Sequence, residues 1–350
     1  MKSFFKTRLA SLLLLSVLTA PFGCKEKGAG SEAQEKKSDT LTATDYTGKE
    51  LRKVSFLPYW VATAQFAGYY VGIEKGIYRK FGIDLSIIPF KPVITSTTPV
   101  SSGEADFAAL WLANAIELKA NGTDIVNIAQ PSFRSSTMLI TKKSGSVESL
   151  KDMNHRRAGI WAGYEMLPKA LFAKYKLDVN IIPIGNSNSL FLIGGVDIII
   201  ANWFDEYHSI INSGYDPEEL NTFFFADYGF NFLEDGIYCL SEKLQKDPQL
   251  CRDFVLATLE GWRYAFSHPE EAIDIVVKYA KKEKVAVNKV HQKWMLDRYR
   301  DLYLPEGSKE FNNTLSTKDY TLVAGILKEN GTIKEIPDFN RFYQPIIKER

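Results

Sequence analysis

From residue 54 onward, short runs of apolar and β-branched residues alternate with stretches whose apolar positions recur every three to four residues. The runs Val54–Pro58, Asp84–Ile88, Ala105–Ala109, Ile125–Ala129 and Thr137–Thr141 predict strands. A second set comprises Arg157–Ile160, Val179–Ile184, Val196–Ala201 and Thr222–Ala226, with Ile237–Leu240 after it. Helical patterns such as Ala64–Glu74 and Leu167–Lys176 fill the gaps. This alternation predicts βαβ units and mostly parallel sheets. Beyond Leu240 the pattern is helical to the end. Pro248 opens one helix, and Ser267 with Glu270 predicts a capping box for another, with Pro269 in its first turn.

The first 53 residues follow another rule. Lys2, Lys6 and Arg8 precede the apolar stretch Leu9–Ala20, whose 12 residues are too few to span a bilayer as a permanent helix. Residues 1–23 therefore read as a secretory signal peptide. Cys24 follows Ala20-Pro21-Phe22-Gly23, a sequence that resembles a bacterial lipoprotein cleavage site, with Pro21 where an aliphatic residue is usual. A lipid on Cys24 would hold the protein to a membrane of the cell envelope; the alternative is a plain signal peptide with an incidental cysteine. Residues 24–52 are rich in Lys, Glu, Gly, Ser, Thr and Ala and predict a solvated, flexible tether. No later stretch is apolar for long enough to cross a membrane.

Composition narrows the picture. With 45% hydrophobic and 24% charged residues, the chain is excluded from the disordered and low-complexity classes, and 350 residues suggest about two domains. The 43 basic residues nearly balance the 42 acidic ones and form no stripe, which argues against a nucleic-acid partner. Three of the basic residues precede Cys24, so the mature charge is −2 and only a lipid could hold the protein at an anionic surface. Cys239 and Cys251 could pair in an oxidising compartment, but their spacing demands no disulfide and two unpaired buried thiols are the expectation.

An internal echo suggests duplication. Lys80-Phe81-Gly82-Ile83-Asp84-Leu85-Ser86-Ile87-Ile88-Pro89 reappears as Lys174-Tyr175-Lys176-Leu177-Asp178-Val179-Asn180-Ile181-Ile182-Pro183. Two similar α/β lobes follow: residues 53–142 with 236–350, and residues 143–235. The first crossover is expected at Lys142–Val147 and the return around Leu233–Gly236, a two-segment hinge beside a cleft.

In open α/β sheets, ligands bind beyond the carboxyl ends of the strands. Trp60, Trp111, Trp161 and Trp203 all fall at such ends, while Trp262 and Trp294 fall on helices. Indoles lining a cleft suit a flat, partly apolar heterocycle, and Tyr164 and Tyr228 extend that wall. Gln65, Asn114, Glu165, Asn186, Asp205 and Glu206 stand beside these rings as candidate hydrogen-bonding partners, Glu206 foremost. For every one of the polar residues, helix capping is the competing explanation, and for the indoles it is core packing. The chain lacks a nucleophile elbow, a P-loop and a dinucleotide glycine fingerprint. His155, His208, His268 and His291 lack metal-ligand spacing and read as ordinary surface or core residues, so neither metal nor cofactor is expected.

The segment Trp60-Val61-Ala62-Thr63-Ala64-Gln65-Phe66-Ala67-Gly68-Tyr69-Tyr70-Val71-Gly72, with Glu74-Lys75-Gly76 and Phe81-Gly82-Ile83-Asp84, resembles the opening of the ABC-importer solute-binding proteins related to thiamine-pyrimidine synthase. Ser102-Gly103-Glu104-Ala105-Asp106-Phe107 resembles that family's Gly-x-x-Asp-Phe turn. Asp205-Glu206-Tyr207, Tyr228-Gly229-Phe230-Asn231-Phe232, Asp235-Gly236 and Glu260-Gly261-Trp262 are similar to its pyrimidine and riboflavin branch. The resemblance implies a type II periplasmic-binding-protein fold with two α/β lobes of mostly parallel sheet. It implies a monomer that captures a thiamine-type aminopyrimidine, riboflavin, another flat heterocycle or a sulfonate, and that partners an ABC permease and ATPase. A receptor that senses its solute, and a synthase-like enzyme, are the competing functions. In the synthases, the cofactor lysine would fall at Leu110, the consumed histidine at Asn114 and the cysteine motif at Gly229-Phe230-Asn231-Phe232-Leu233, so synthase chemistry is not expected.

Overall fold

The computed structural model describes residues 50–90 and 97–347. Cys24, the signal segment and nearly all of the tether lie outside the described residues. Ten strands form two five-stranded sheets. The first holds β1 (Arg52–Leu57), β2 (Ile83–Ile87), β3 (Phe107–Leu110), β4 (Ile125–Ala129) and β10 (Gly236–Leu240), in the order β2-β1-β3-β10-β4. The second holds β5 (Thr137–Lys142), β6 (Arg157–Trp161), β7 (Asn180–Ile184), β8 (Ile198–Asn202) and β9 (Leu220–Phe224), in the order β7-β6-β8-β5-β9. Within each sheet one strand runs against its neighbours: β10 in the first and β5 in the second. Both reversed strands are the first to arrive after a crossover, and both take the fourth place.

That topology moves the first crossover. Thr137–Lys142 pairs with β8 and β9, so the strand expected in the first lobe belongs to the second sheet. The chain crosses through residues 130–136 rather than at Lys142–Val147. Local pattern marks Thr137–Lys142 as a strand, but only the pairing partner decides its sheet. The echo, in contrast, marks equivalent joints. It ends in β2 and β7, which are the edge strands of their sheets, and it turns at Gly82 and Lys176, both at positive φ (72° and 55°). Pro183 sits in an edge strand, where its missing N–H costs no ladder bond.

The helices that matter for the site are α1 (Ala67–Glu74), α2 (Leu112–Ala120), α3 (Met166–Lys174), α4 (Glu206–Ile211), α5 (Ser241–Lys246), α6 (Pro248–Ser267), α7 (Pro269–Lys282), α8 (Lys289–Tyr303) and α9 (Thr317–Glu329). Asp247 caps α6 by accepting from Leu250 N at 2.8 Å. The capping box expected at Ser267 does not form: Ser267 ends α6 and donates back to Arg263 O at 2.9 Å. Helix α6 packs on α1 at very close range, because a Cβ on Gly261 would lie 2.2 Å from Gly68 O. The neighbouring Trp262 is fully buried, stacked on Tyr299 with ring centres 5.7 Å apart. Glu260-Gly261-Trp262 is thus explained by packing.

Two apolar cores run between the sheets. One extends under α9, which touches both α2 and α3, and joins Leu57, Ala108 and Leu110 to Leu139, Ala158 and Ile160. The other lies under α1, α6, α7 and α8, and takes in Phe204 from the turn after β8. Phe204 packs against Tyr299 of α8 with ring centres 4.9 Å apart. Burial of a phenyl ring of this size contributes about 2–3 kcal/mol to the join.

The two crossing segments are laced together by polar groups. Glu234 Oε1 accepts from Ser135 Oγ (2.9 Å), Ser136 N (2.9 Å), Ser136 Oγ (3.0 Å) and Thr137 Oγ1 (3.2 Å). Burial pushes Glu234 up to about 7 and Asp235 up to about 6. Asp235 accepts from Tyr299 OH at 2.5 Å and from Gln65 Nε2 at 3.2 Å. The crossing is therefore fixed by hydrogen bonds that a shift of one segment would break.

Candidate functional site

Strand ends from both sheets converge on a cavity of about 250 Å³. From the first sheet side, the turn after β3 and the start of α2 supply Trp111, Asn114 and Glu117. From the second, the turn after β6 supplies Trp161 and Tyr164, and the sheet itself supplies Thr137 and Ile200. Phe232 of the return crossing and Leu327 of α9 close it. Tyr164 meets Trp111 edge-on across the lobes at 5.5 Å and Trp161 at 6.3 Å, arrangements favoured by the ring quadrupoles.

Its polar groups are few. Trp111 Nε1 is buried with no hydrogen-bond partner. An indole N–H is a donor only, and leaving it unpaired among buried atoms costs about 1–3 kcal/mol. Glu117 lies one turn beyond Asn114 on α2; among the described residues it brings the only acidic side chain of the lining, and no Lys, Arg or His lines the cavity.

The structure thus brings together Trp111, Asn114, Trp161 and Tyr164. The other candidates lie elsewhere. Trp60 is 36% exposed and packs against Phe90 at 5.1 Å. Gln65 is buried on Asp235 at the crossing. Glu165 accepts from Gly163 N at 3.1 Å, within its own turn. Asn186 is exposed in the loop after β7. Tyr228 lies against Tyr175, ring centres 5.9 Å apart, and its carbonyl accepts from Lys174 Nζ at 2.9 Å.

Trp203, Asp205 and Glu206 form a second cluster, against α8. Arg298 of α8 stacks over Trp203 at 4.6 Å and over Trp294 at 4.5 Å, while Trp294 Nε1 donates to Trp203 O at 2.9 Å. Asp205 Oδ1 lies 2.9 Å from His291 Nε2. Glu206 Oε2 accepts from Asn202 N at 2.8 Å, and burial, with the nearby Asp205 charge, pushes its carboxyl up to about 8. His208 and His291, read as ordinary residues, face one another with Nδ1 atoms 2.9 Å apart. They are 83 residues apart, and no local pattern signals the contact. Glu117 was missed as well, although its position one turn past Asn114 places both on one helix face. Cys239 and Cys251 are free and buried. Among the described residues, no group of three or more His, Cys, Asp or Glu could hold a metal ion, and no helix is long and apolar enough to cross a membrane.

Comparison with known proteins bears on this geometry. The chain is 25% identical over 239 residues to riboflavin-binding protein RibY of Chloroflexus aurantiacus, covering 65% of this chain and 67% of that protein. It is 21% identical over 255 residues to the formylaminopyrimidine-binding protein of Halalkalibacterium halodurans, covering 68% and 73%. In structure it resembles the periplasmic aliphatic sulphonate-binding protein SsuA of Escherichia coli, with a TM-score of 0.64, 14% identity and coverage of 86% and 94%. That likeness shows the expected periplasmic-binding-protein fold, α/β with two mostly parallel sheets. Residues 63–272 match the model described as NMT1/THI5 like, and the chain belongs to the NMT1/THI5-like family.

Proposed function

We propose that the protein is the solute-binding component of an ABC importer and that it holds a small, flat heterocycle between Trp111, Trp161 and Tyr164. The observation that carries this reading is an aromatic cavity between the two sheets whose lining holds few polar groups. An exocyclic amino group would donate to Glu117 or to the Asn114 carbonyl. A sulfonate fits less well, because an anion buried beside Glu117, with no cation in the lining among the described residues, would be poorly compensated. At about 250 Å³ the cavity falls just below the usual range for drug-sized ligands, which favours a single pyrimidine ring over a flavin. A thiamine-type aminopyrimidine is therefore the first choice and riboflavin the second.

Support for a binder rather than a synthase comes from the same residues. Leu110 is buried at the end of β3 and Asn114 lines the cavity, and among the described residues no lysine lines it to form an imine. In this reading the mature protein is a monomer in the cell envelope. It is anchored through Cys24 outside the described residues and passes its solute to a permease and ATPase.

Native mass spectrometry of protein from its own host would identify the bound solute. Calorimetry would then compare 4-amino-5-hydroxymethyl-2-methylpyrimidine, riboflavin and taurine. The expected result is tight, reversible binding of the pyrimidine, with Trp111→Ala weakening it roughly fivefold through loss of one stacking face. Binding of taurine alone, or chemical conversion of the pyrimidine, would overturn the reading.

A further inference from the structure

The contact between α4 and α8 joins the second lobe to the first without lining the cavity. Phe204 anchors it near the crossing, and His208 with His291 completes it about 12 Å farther out, eight residues along α8 at 1.5 Å each. His208 stacks on Trp294, ring centres 4.8 Å apart and 12° from parallel, so the ring cannot swing aside while the lobes are together.

Counting protons decides what this contact tolerates. Two imidazole nitrogens 2.9 Å apart are hydrogen-bonded only when one proton lies between them. His291 Nε2 must donate, because its partner Asp205 is an acceptor. With both rings neutral, His208 Nδ1–H can donate to His291 Nδ1. With His291 charged, its Nδ1–H donates to the single lone pair of His208 Nδ1, which Asn212 Nδ2 approaches to 3.1 Å. With both rings charged, two N–H groups face each other and neither accepts.

We propose that His208 and His291 form a proton-operated clasp between the lobes, shut while at most one ring is charged and released when both are. His291 is then a positioning residue for the closed cleft. This inference rests on the reading that solute enters by separation of the lobes, and it is independent of which solute is bound.

The surroundings set the direction. Burial holds the His208 pKa below the ordinary imidazole value, the positive charge on His291 holds it lower, Asp205 opposes this and Arg298 adds to it. Glu206, next to Asp205 on the same turn, is pushed up to about 8 and adds little negative charge at neutral pH. The other cations of α8 are engaged: Lys289 with Asp274 and Lys293 with Glu270 of α7, and Arg300 with Asp297 and Asp301 on α8 itself. The closed form therefore binds fewer protons than the open one. Its contribution to closure is complete above the ordinary imidazole value of about 6.5 and fades as the pH falls below it.

The full chain, free of solute, would be followed from pH 8 to pH 5 by proton NMR of its four histidines and by small-angle X-ray scattering. The expected result is a lower titration step that belongs to His208, assigned with His208→Gln and His291→Gln. The radius of gyration should rise through the lower step. His291→Gln keeps a hydrogen-bonding group without a second charge, so its radius should lose the pH dependence; His208→Gln serves the same purpose should His291→Gln fail to fold. An unchanged radius through the lower step, or an equal rise in a folded variant, would overturn the clasp. Because no solute is added, either outcome leaves the proposed ligand class to be judged by calorimetry alone.

Discussion

The two edges of the interlobe contact start from the same sequence feature and end differently. Each has an indole at a strand end with polar residues beside it: Trp111 with Asn114, and Trp203 with Asp205 and Glu206. At the first, the facing helix is α9, which brings Leu327 to the wall and leaves room for about 250 Å³. At the second, α8 presents His291, Trp294 and Arg298, and these fill the space by stacking and hydrogen bonding. The difference teaches that a strand-end indole becomes a ligand wall or a lobe clamp according to the helix that faces it.

The largest expected effect would break the filled edge. Phe204→Ala should cost about 3–5 kcal/mol of stability, read from the denaturant midpoint, because it empties a site in the core under α1, α6, α7 and α8. Tyr164→Ala on the open edge should cost less than about 1 kcal/mol, since that ring is 38% exposed. Similar losses at both would mean that the two edges are equally structural.

Ligand binding sharpens the contrast from the other side. Trp111→Ala and Trp161→Ala should each weaken pyrimidine binding by about 1 kcal/mol or more, a fivefold or larger rise in Kd by calorimetry. Wild-type affinity in both would make the aromatic edge mere core.

Between the edges, the crossing has its own pH signature. Glu234, pushed up to about 7, and Asp235, pushed up to about 6, keep protons that the unfolded chain releases near pH 4. The folded protein therefore binds more protons in that window, and stability should rise as the pH falls from about 7 towards 4. Glu234→Gln should flatten this slope in urea titrations; an unaltered slope would show that Glu234 does not carry it. The smallest effect belongs to the outer face of α8. Lys289→Ala breaks an exposed pair with Asp274 and should change stability by less than about 0.5 kcal/mol, with closure untouched.

Much of the fold was legible because strand and helix periodicity are local. All of the strand runs read from the pattern correspond to strands, and the echo at Lys80 and Lys174 leads to equivalent edge strands. The sheet that Thr137–Lys142 joins was not legible, since it depends on where the chain crosses. The same reason separates Trp111 from Trp203. Their strand-end positions could be read, but the helices facing them come from residues 289–329, far along the chain. Gln65 shows the limit most sharply: it stands beside Trp60 in sequence, yet its amide is committed to Asp235 at the crossing.

The solute is expected at the aromatic edge, while the filled edge only holds the lobes. The most direct test is a crystal structure of the protein with the solute identified by native mass spectrometry. A ring seated between Trp111, Trp161 and Tyr164, within hydrogen-bonding reach of Glu117 or Asn114, is expected. A ring seated instead between Trp203 and α8, with Trp294 and His291 displaced, would contradict it.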